Sequence, residues 1–159
     1  MDIRTKTEAA LQTAVSLLEQ WAETAVYPEE NRLDMVMERA ELVTAVAILA
    51  DKQWGYLAAI TGLDHPAPPE GEPLLEALYQ FCEGAAVLTL RVAIPRDDAQ
   101  LPTICAQIPA ATIYERELAE MFGVTVTDTP NPDLLYLPDD WQRDTYPLRK
   151  DFEAVKREA

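Results

Sequence analysis

The apolar positions of the chain fall into two alternating periods. Thr5 and Glu8 stand at capping-box spacing, and Leu11, Val15, Leu18 and Ala22 then follow a helical stripe with Ala14 and Trp21 beside it. This predicts a first helix that Tyr27-Pro28-Glu29-Glu30-Asn31 breaks. Leu33, Met35 and Met37 alternate with Asp34 and Glu38 and predict a strand. Helical period returns from Glu41 to Lys52, with Leu42, Ala45, Val46 and Leu49 on one face. Tyr56 to Thr61 is a short apolar run closed by Gly62, which predicts a strand, and the prolines and glycine between His65 and Glu72 predict a loop. Leu74 to Cys82 and Ala86 to Ile94 form the clearest pair, joined through Glu83-Gly84 as an antiparallel hairpin.

Pro95-Arg96-Asp97-Asp98 reads as a turn and Thr103 to Gln107 as a short helix before Pro109. Ala110 to Phe122 is predicted to be a helix with Tyr114, Leu118, Met121 and Phe122 on one side, and Gly123 supplies its C-terminal cap. Beyond Val124 and Val126 the prolines at 130, 132, 138 and 147 exclude regular helix or central strand. That stretch still carries Leu134, Leu135, Tyr136, Leu137, Trp141, Tyr146, Leu148 and Phe152, more large apolar groups than a disordered tail holds, so it is expected to lie against something. The expected fold class is α+β: a mixed or antiparallel sheet flanked by helices on one face, with an irregular C-terminal extension. The expected division is an α+β domain over 1–127 and a Pro/Asp-rich segment over 128–159 that lies against its own domain or against another subunit.

Charge narrows the choice of partners. The net charge of the 159 residues is -15, with acidic residues divided evenly between the two halves rather than gathered in a tail. Repulsion from phosphates makes nucleic acid and anionic lipid poor partners, whereas a basic protein surface is compatible. No apolar run reaches the roughly 18–20 residues needed to cross a bilayer, and Met1-Asp2-Ile3-Arg4-Thr5 leads into a polar helix, so a cytosolic or peripheral location is expected.

Catalytic chemistry is poorly represented. Cys82 and Cys105 form no C-x-x-C pair and, with His65 as the single histidine, cannot supply the thiolates of an iron–sulfur cluster; they amount to part of a zinc site at most, and no ligand spacing supports one. Their apolar surroundings predict buried structural thiols. Ser16, the single serine, lies mid-helix; there is no G-x-G-x-x-G and no G-x-x-x-x-G-K-[ST]. No catalytic, cofactor-binding or metal-ligating residue is therefore expected.

Two charged motifs remain. The first is Glu115-Arg116-Glu117 with Glu120, ahead of Met121-Phe122-Gly123. Carboxylates on one helix do not converge across a cleft as a glycosidase pair must. The alternatives are a solvated helix face with an Arg116–Glu120 pair, or charges that fix the register of another chain. The second is Pro147-Leu148-Arg149-Lys150-Asp151-Phe152, in which Leu148 and Phe152 can pack while Arg149 makes directed bonds.

Together these motifs carry a resemblance. Tyr114-Glu115-Arg116-Glu117-Leu118-Ala119-Glu120-Met121-Phe122-Gly123-Val124, followed by Leu137-Pro138-Asp139-Asp140-Trp141 and Tyr146-Pro147-Leu148-Arg149-Lys150-Asp151-Phe152, resembles in order and spacing the 30 kDa subunit family of respiratory complex I, the proton-pumping NADH:quinone oxidoreductase. Val92-Ala93-Ile94-Pro95-Arg96-Asp97-Asp98 is similar to the strand and turn before the family's helix. Glu120 stands where that family usually has Asp, and Pro130-Asn131-Pro132-Asp133-Leu134-Leu135-Tyr136 lacks the family's His and Arg pair.

The resemblance implies an α+β subunit of the hydrophilic arm, peripheral on the cytoplasmic face of the membrane, that docks on the 49 kDa-type large subunit. It implies membership of an oxidoreductase whose NADH, FMN, iron–sulfur clusters and quinone are held by partner subunits. The implied alternative is the equivalent subunit of a membrane-bound energy-converting [NiFe] hydrogenase. The implied partner-interface residues are Glu115, Arg116, Glu117, Glu120, Phe122, Gly123, Trp141, Arg149, Lys150 and Asp151.

Overall fold

The computed structural model describes residues 2–67 and 71–153. Helix α1 spans Ile3–Leu18 and opens at Asp2, whose carboxylate accepts the Thr5 N–H at 2.9 Å. The cap therefore lies three residues ahead of the expected Thr5, because an Asp acceptor reaches the orphan donors of the first turn. Glu8 instead pairs with Arg4 at 3.2 Å, one turn back. The helix also stops short of Ala22, and the chain turns into strand β1, Thr24–Val26. All three residues of β1 are exposed, so no alternation betrays it.

Strand β2, Arg32–Val36, pairs antiparallel with β1. A short 3-10 turn at Arg39–Glu41 leads into helix α2, Leu42–Asp51. Strand β3 runs from Tyr56 to His65, passing through Gly62 where the sequence reading ends the strand. Gly62 does not terminate it; a Cβ there would lie 2.5 Å from the Phe122 ring, so the missing side chain admits a helix residue against the sheet. The loop expected over His65–Glu72 begins after His65, and its centre lies outside the described residues.

Strands β4, Leu74–Glu83, and β5, Ala86–Pro95, form the expected hairpin in the register Phe81↔Leu88 and Tyr79↔Leu90. The sheet order is β1-β2-β5-β4-β3, and only β2 with β5 is parallel. Alternation sorts the two faces. Leu33, Met35, Leu75, Ala77, Tyr79, Phe81, Leu88, Leu90, Val92 and Ile94 are buried on the helix side with the apolar stripes of α1 and α2. On the other face Arg91 of β5 bridges Glu76 of β4 at 2.7 Å and Asp34 of β2 at 2.9 Å, and His65 Nε2 meets Glu76 at 2.8 Å. The sheet is mixed and its helices lie on one face, as α+β architecture requires.

After β5, a 3-10 turn at Arg96–Asp98 leads to β6, Gln100–Pro102, which pairs in parallel with β7, Thr125–Thr127. The short helix expected over Thr103–Gln107 is a turn, held by Gln107 and Ile108 N–H bonds to the Ile104 carbonyl. Helix α3 covers Ala111–Phe122 and ends at Gly123 in the left-handed conformation, φ 69°. A Cβ at Gly123 would stand 2.4 Å from the Tyr146 ring. From Asp128 to Glu153 the described chain holds no helix or strand and runs as a strap over α3.

Candidate functional site

Helix α3 and the strap are joined by the charged residues that the sequence singles out. Arg116 and Glu120 lie one turn apart and face the strap together. The Arg116 guanidinium donates to the carbonyls of Asp133 and Leu134 at 2.8 and 2.6 Å. The Glu120 carboxylate accepts the backbone N–H groups of Leu135, Tyr136 and Leu137, each at 2.9 Å at its shortest. One side chain thus satisfies strap acceptors and the other satisfies strap donors. The Arg116–Glu120 pair that helical spacing suggests gives way to these bonds, because a charged group gains more from several backbone partners than from one exposed ion pair.

Glu115 turns from the strap toward the segment after β6 and is 1% exposed. Its carboxylate accepts from the Ile104 N–H at 2.7 Å, the Thr103 hydroxyl at 2.7 Å and the Cys105 thiol at 3.2 Å. This buried acid ties down the turn between β6 and α3. Burial, with Glu115 alongside, pushes the Cys105 thiol up, so it stays protonated and unreactive at neutral pH. Cys82, expected to be buried, is instead half-buried. Glu117 is half-buried, and among the described residues it makes no side-chain hydrogen bond or ion pair.

The end of α3 is completed by the second motif. The Leu148 N–H donates to the Met121 carbonyl at 3.1 Å, and Arg149 Nε donates to the Phe122 carbonyl at 2.7 Å. Carbonyls that a helix leaves unpaired are thereby satisfied, and a cation sits at the negative end of the helix dipole. The Arg149 guanidinium also lies over the Tyr146 ring, 4.4 Å from its centroid. The Lys150 side chain is exposed, but its N–H donates to Asp64 Oδ2 at 2.7 Å. Asp151 pairs with Arg96 at 2.9 Å, and Arg96 in turn holds Asp64. Burial alone would raise the Asp64 carboxyl, yet the Arg96 guanidinium and the Lys150 N–H hold it below the usual carboxylate range. Trp141 stacks on Phe152, centroids 6.3 Å apart, and its indole donates to the Thr145 carbonyl at 2.8 Å.

The structure thus brings Arg116, Glu120, Phe122, Gly123, Arg149, Lys150 and Asp151 into one strap-and-helix assembly, with Glu115 behind it. Sequence reading misses Asp64 and Arg96. The alternation of β3 puts Asp64 opposite Leu75 on the helix side, a signal visible only once the strand is carried past Gly62. Between the strap, α3 and β7 an open cleft of about 540 Å³ remains, with Ala119, Val126, Leu137 and Trp141 among its lining. Among the described residues no cluster of three or more His, Cys, Asp or Glu side chains could hold a metal ion. No helix among them is long and apolar enough to cross a membrane.

The C-type subunit of NADH-quinone oxidoreductase from Dinoroseobacter shibae is 31% identical over 154 residues, covering 92% of this chain and 69% of that protein. The C/D-type subunit of the same enzyme from Methylococcus capsulatus is 44% identical over 110 residues, 65% of this chain and 18% of that protein. Formate hydrogenlyase subunit 5 of Escherichia coli is 30% identical over 123 residues, 77% of this chain and 21% of that protein. The chain thus spans only about a fifth of the length of these last two relatives. Among solved structures, a chain of the membrane-bound sulfane sulfur reductase, an archaeal respiratory membrane complex, superposes with a TM-score of 0.74 at 28% identity, covering 94% of this chain and 87% of that one. A sequence model described as respiratory-chain NADH dehydrogenase, 30 Kd subunit, matches residues 35–158, and the chain belongs to that family.

Proposed function

We propose that the chain is a docking subunit, without a catalytic centre of its own, of a membrane-associated respiratory oxidoreductase, seated peripherally on the cytoplasmic face of the membrane. The observation that carries this reading is the strap. Its backbone is bonded to α3 at both ends, while Leu134, Tyr136 and Leu148 project from it 46%, 60% and 54% exposed. A chain that fixes a segment so firmly and leaves large apolar groups on its outside presents a surface for another polypeptide. The partner proposed is a 49 kDa-type large subunit, since a relative named C/D carries this module within a longer chain. NADH, FMN, iron–sulfur clusters and quinone then belong to the partner subunits.

Affinity purification of the tagged chain from detergent-solubilised membranes tests this. Recovery of a large subunit together with NADH- and flavin-binding subunits is the expected result. A chain recovered alone, and absent from the membrane fraction, overturns the proposal. The formate hydrogenlyase relative favours a second reading, the equivalent subunit of an energy-converting hydrogenase. Recovery of a nickel-containing large subunit without flavin-binding subunits selects that reading.

A further inference from the structure

We infer that the cleft between the strap and α3 receives an apolar segment flanked by basic residues from the partner polypeptide. This inference rests on the docking role just proposed and names the chemistry of the segment that docks.

The cleft holds about 540 Å³ and is open, so it accommodates several side chains rather than one water-filled crevice. Ala119 and Val126 line it from α3 and β7, and Leu137 and Trp141 line it from the strap. The lining charges of Glu115, Arg116 and Glu120 are already taken up by Ile104, Thr103 and the strap backbone, so they do not call for a polar ligand. The charged lining residues that remain exposed are Asp133, Asp139, Asp144 and Arg143, three acids against one base. Among the described residues none of these four side chains forms an ion pair, so an incoming Lys or Arg meets unneutralised carboxylates at the cleft. The chain's overall charge of -15 adds long-range attraction for a basic segment. Leu134, 46% exposed on the strap, also lines the cleft, so the cleft is continuous with an exposed apolar group of the proposed docking surface.

Nuclear magnetic resonance of the full chain tests the inference, read at the Trp141 indole N–H and the Val126 amide. Three synthetic peptides serve as probes: Lys-Leu-Leu-Leu-Lys, Glu-Leu-Leu-Leu-Glu and Lys-Ser-Ser-Ser-Lys. Saturable shifts at both reporters with the first peptide, and binding at least about ten-fold weaker with the other two, are expected. Ala119→Phe fills the cleft, and Asp133→Lys with Asp139→Lys reverses its charge at exposed positions. Each should weaken the first peptide about ten-fold or more. Equal binding of the glutamate-flanked or serine-core peptide, or no saturation at millimolar concentration, overturns the inference. The same variants are then used in the purification experiment. If the wild-type chain recovers the large subunit and both variants recover it equally well, the cleft assignment fails and the docking role stands. If the wild-type chain recovers no partner, the docking role itself fails.

Discussion

The Glu120 carboxylate accepts the backbone N–H of Tyr136 at 2.9 Å, with the N–H groups of Leu135 and Leu137 on the same carboxylate. A single side chain of α3 therefore holds three successive strap residues through their backbone, without reading their side chains. Glu120→Gln places a donor among donors, and the strap should loosen by about 2 kcal/mol, the worth of hydrogen bonds to a charged acceptor. Amide exchange at Leu135, Tyr136 and Leu137 should accelerate, while β4 and β5 amides keep their protection. Unchanged exchange in the strap would contradict this.

Arg149 and Glu117 should contribute unequally to the stability of the isolated chain. Arg149 Nε caps the Phe122 carbonyl, so Arg149→Ala is expected to destabilise the isolated chain by about 1 kcal/mol through the lost cap and ring contact. Glu117 has no such partner among the described residues, and Glu117→Ala should leave the stability within about 0.5 kcal/mol of wild type. Thermal denaturation of the two variants, measured side by side, decides the matter. Equal losses would refute the assignment of Arg149 to the helix end.

Gly62→Ala tests the closest approach of α3 to the sheet. The added Cβ meets the Phe122 ring at 2.5 Å and Leu118 Cδ1 at 2.9 Å, so the helix must shift at a cost of about 1–3 kcal/mol. Phe122→Leu in the same background should recover part of that loss. A double-mutant cycle from denaturant unfolding measures the coupling, and a coupling energy of zero would remove Phe122 as the cause.

The Asp64 cluster predicts the acid limb of stability. In the folded chain the Asp64 carboxyl titrates below the usual carboxylate range, so the unfolded chain binds the proton more readily. The stabilisation is complete above the unfolded Asp value of about 3.9 and is lost as pH falls through the lower folded value. For Glu76, burial pushes upward but Arg91 and His65 outweigh it and lower the carboxyl, so it contributes with the same sign. Asp64→Asn should therefore lower stability at pH 7 and flatten the fall below about pH 4. Parallel curves for variant and wild type over that range would rule out this origin.

Much of the fold was legible because it is written in periodicity. The β4–β5 hairpin, α2 and α3 all follow from stripes that burial enforces. Strands β1, β6 and β7 were not legible, since each is three residues long and β1 has no buried residue. Pairing partners create such strands, and a local pattern does not record partners. The candidate site divides the same way. Arg116, Glu120 and Arg149 stand out as charges set among apolar residues, but their targets are mostly backbone groups far along the chain, which carry no sequence signature. Asp64 was hidden because the apolar run of β3 ends before it, at Gly62, and Arg96, in a turn the sequence does reveal, gave no sign of its pairing with Asp64.

The parallel pairing of Leu33 in β2 with Leu88 in β5 orders the birth of the molecule. As the nascent chain leaves the ribosome, β2 has only the three residues of β1 beside it until Ala86–Pro95 has emerged. The Met35 edge must wait through the synthesis of α2, β3 and β4, a window in which a chaperone or a stray strand can occupy it first.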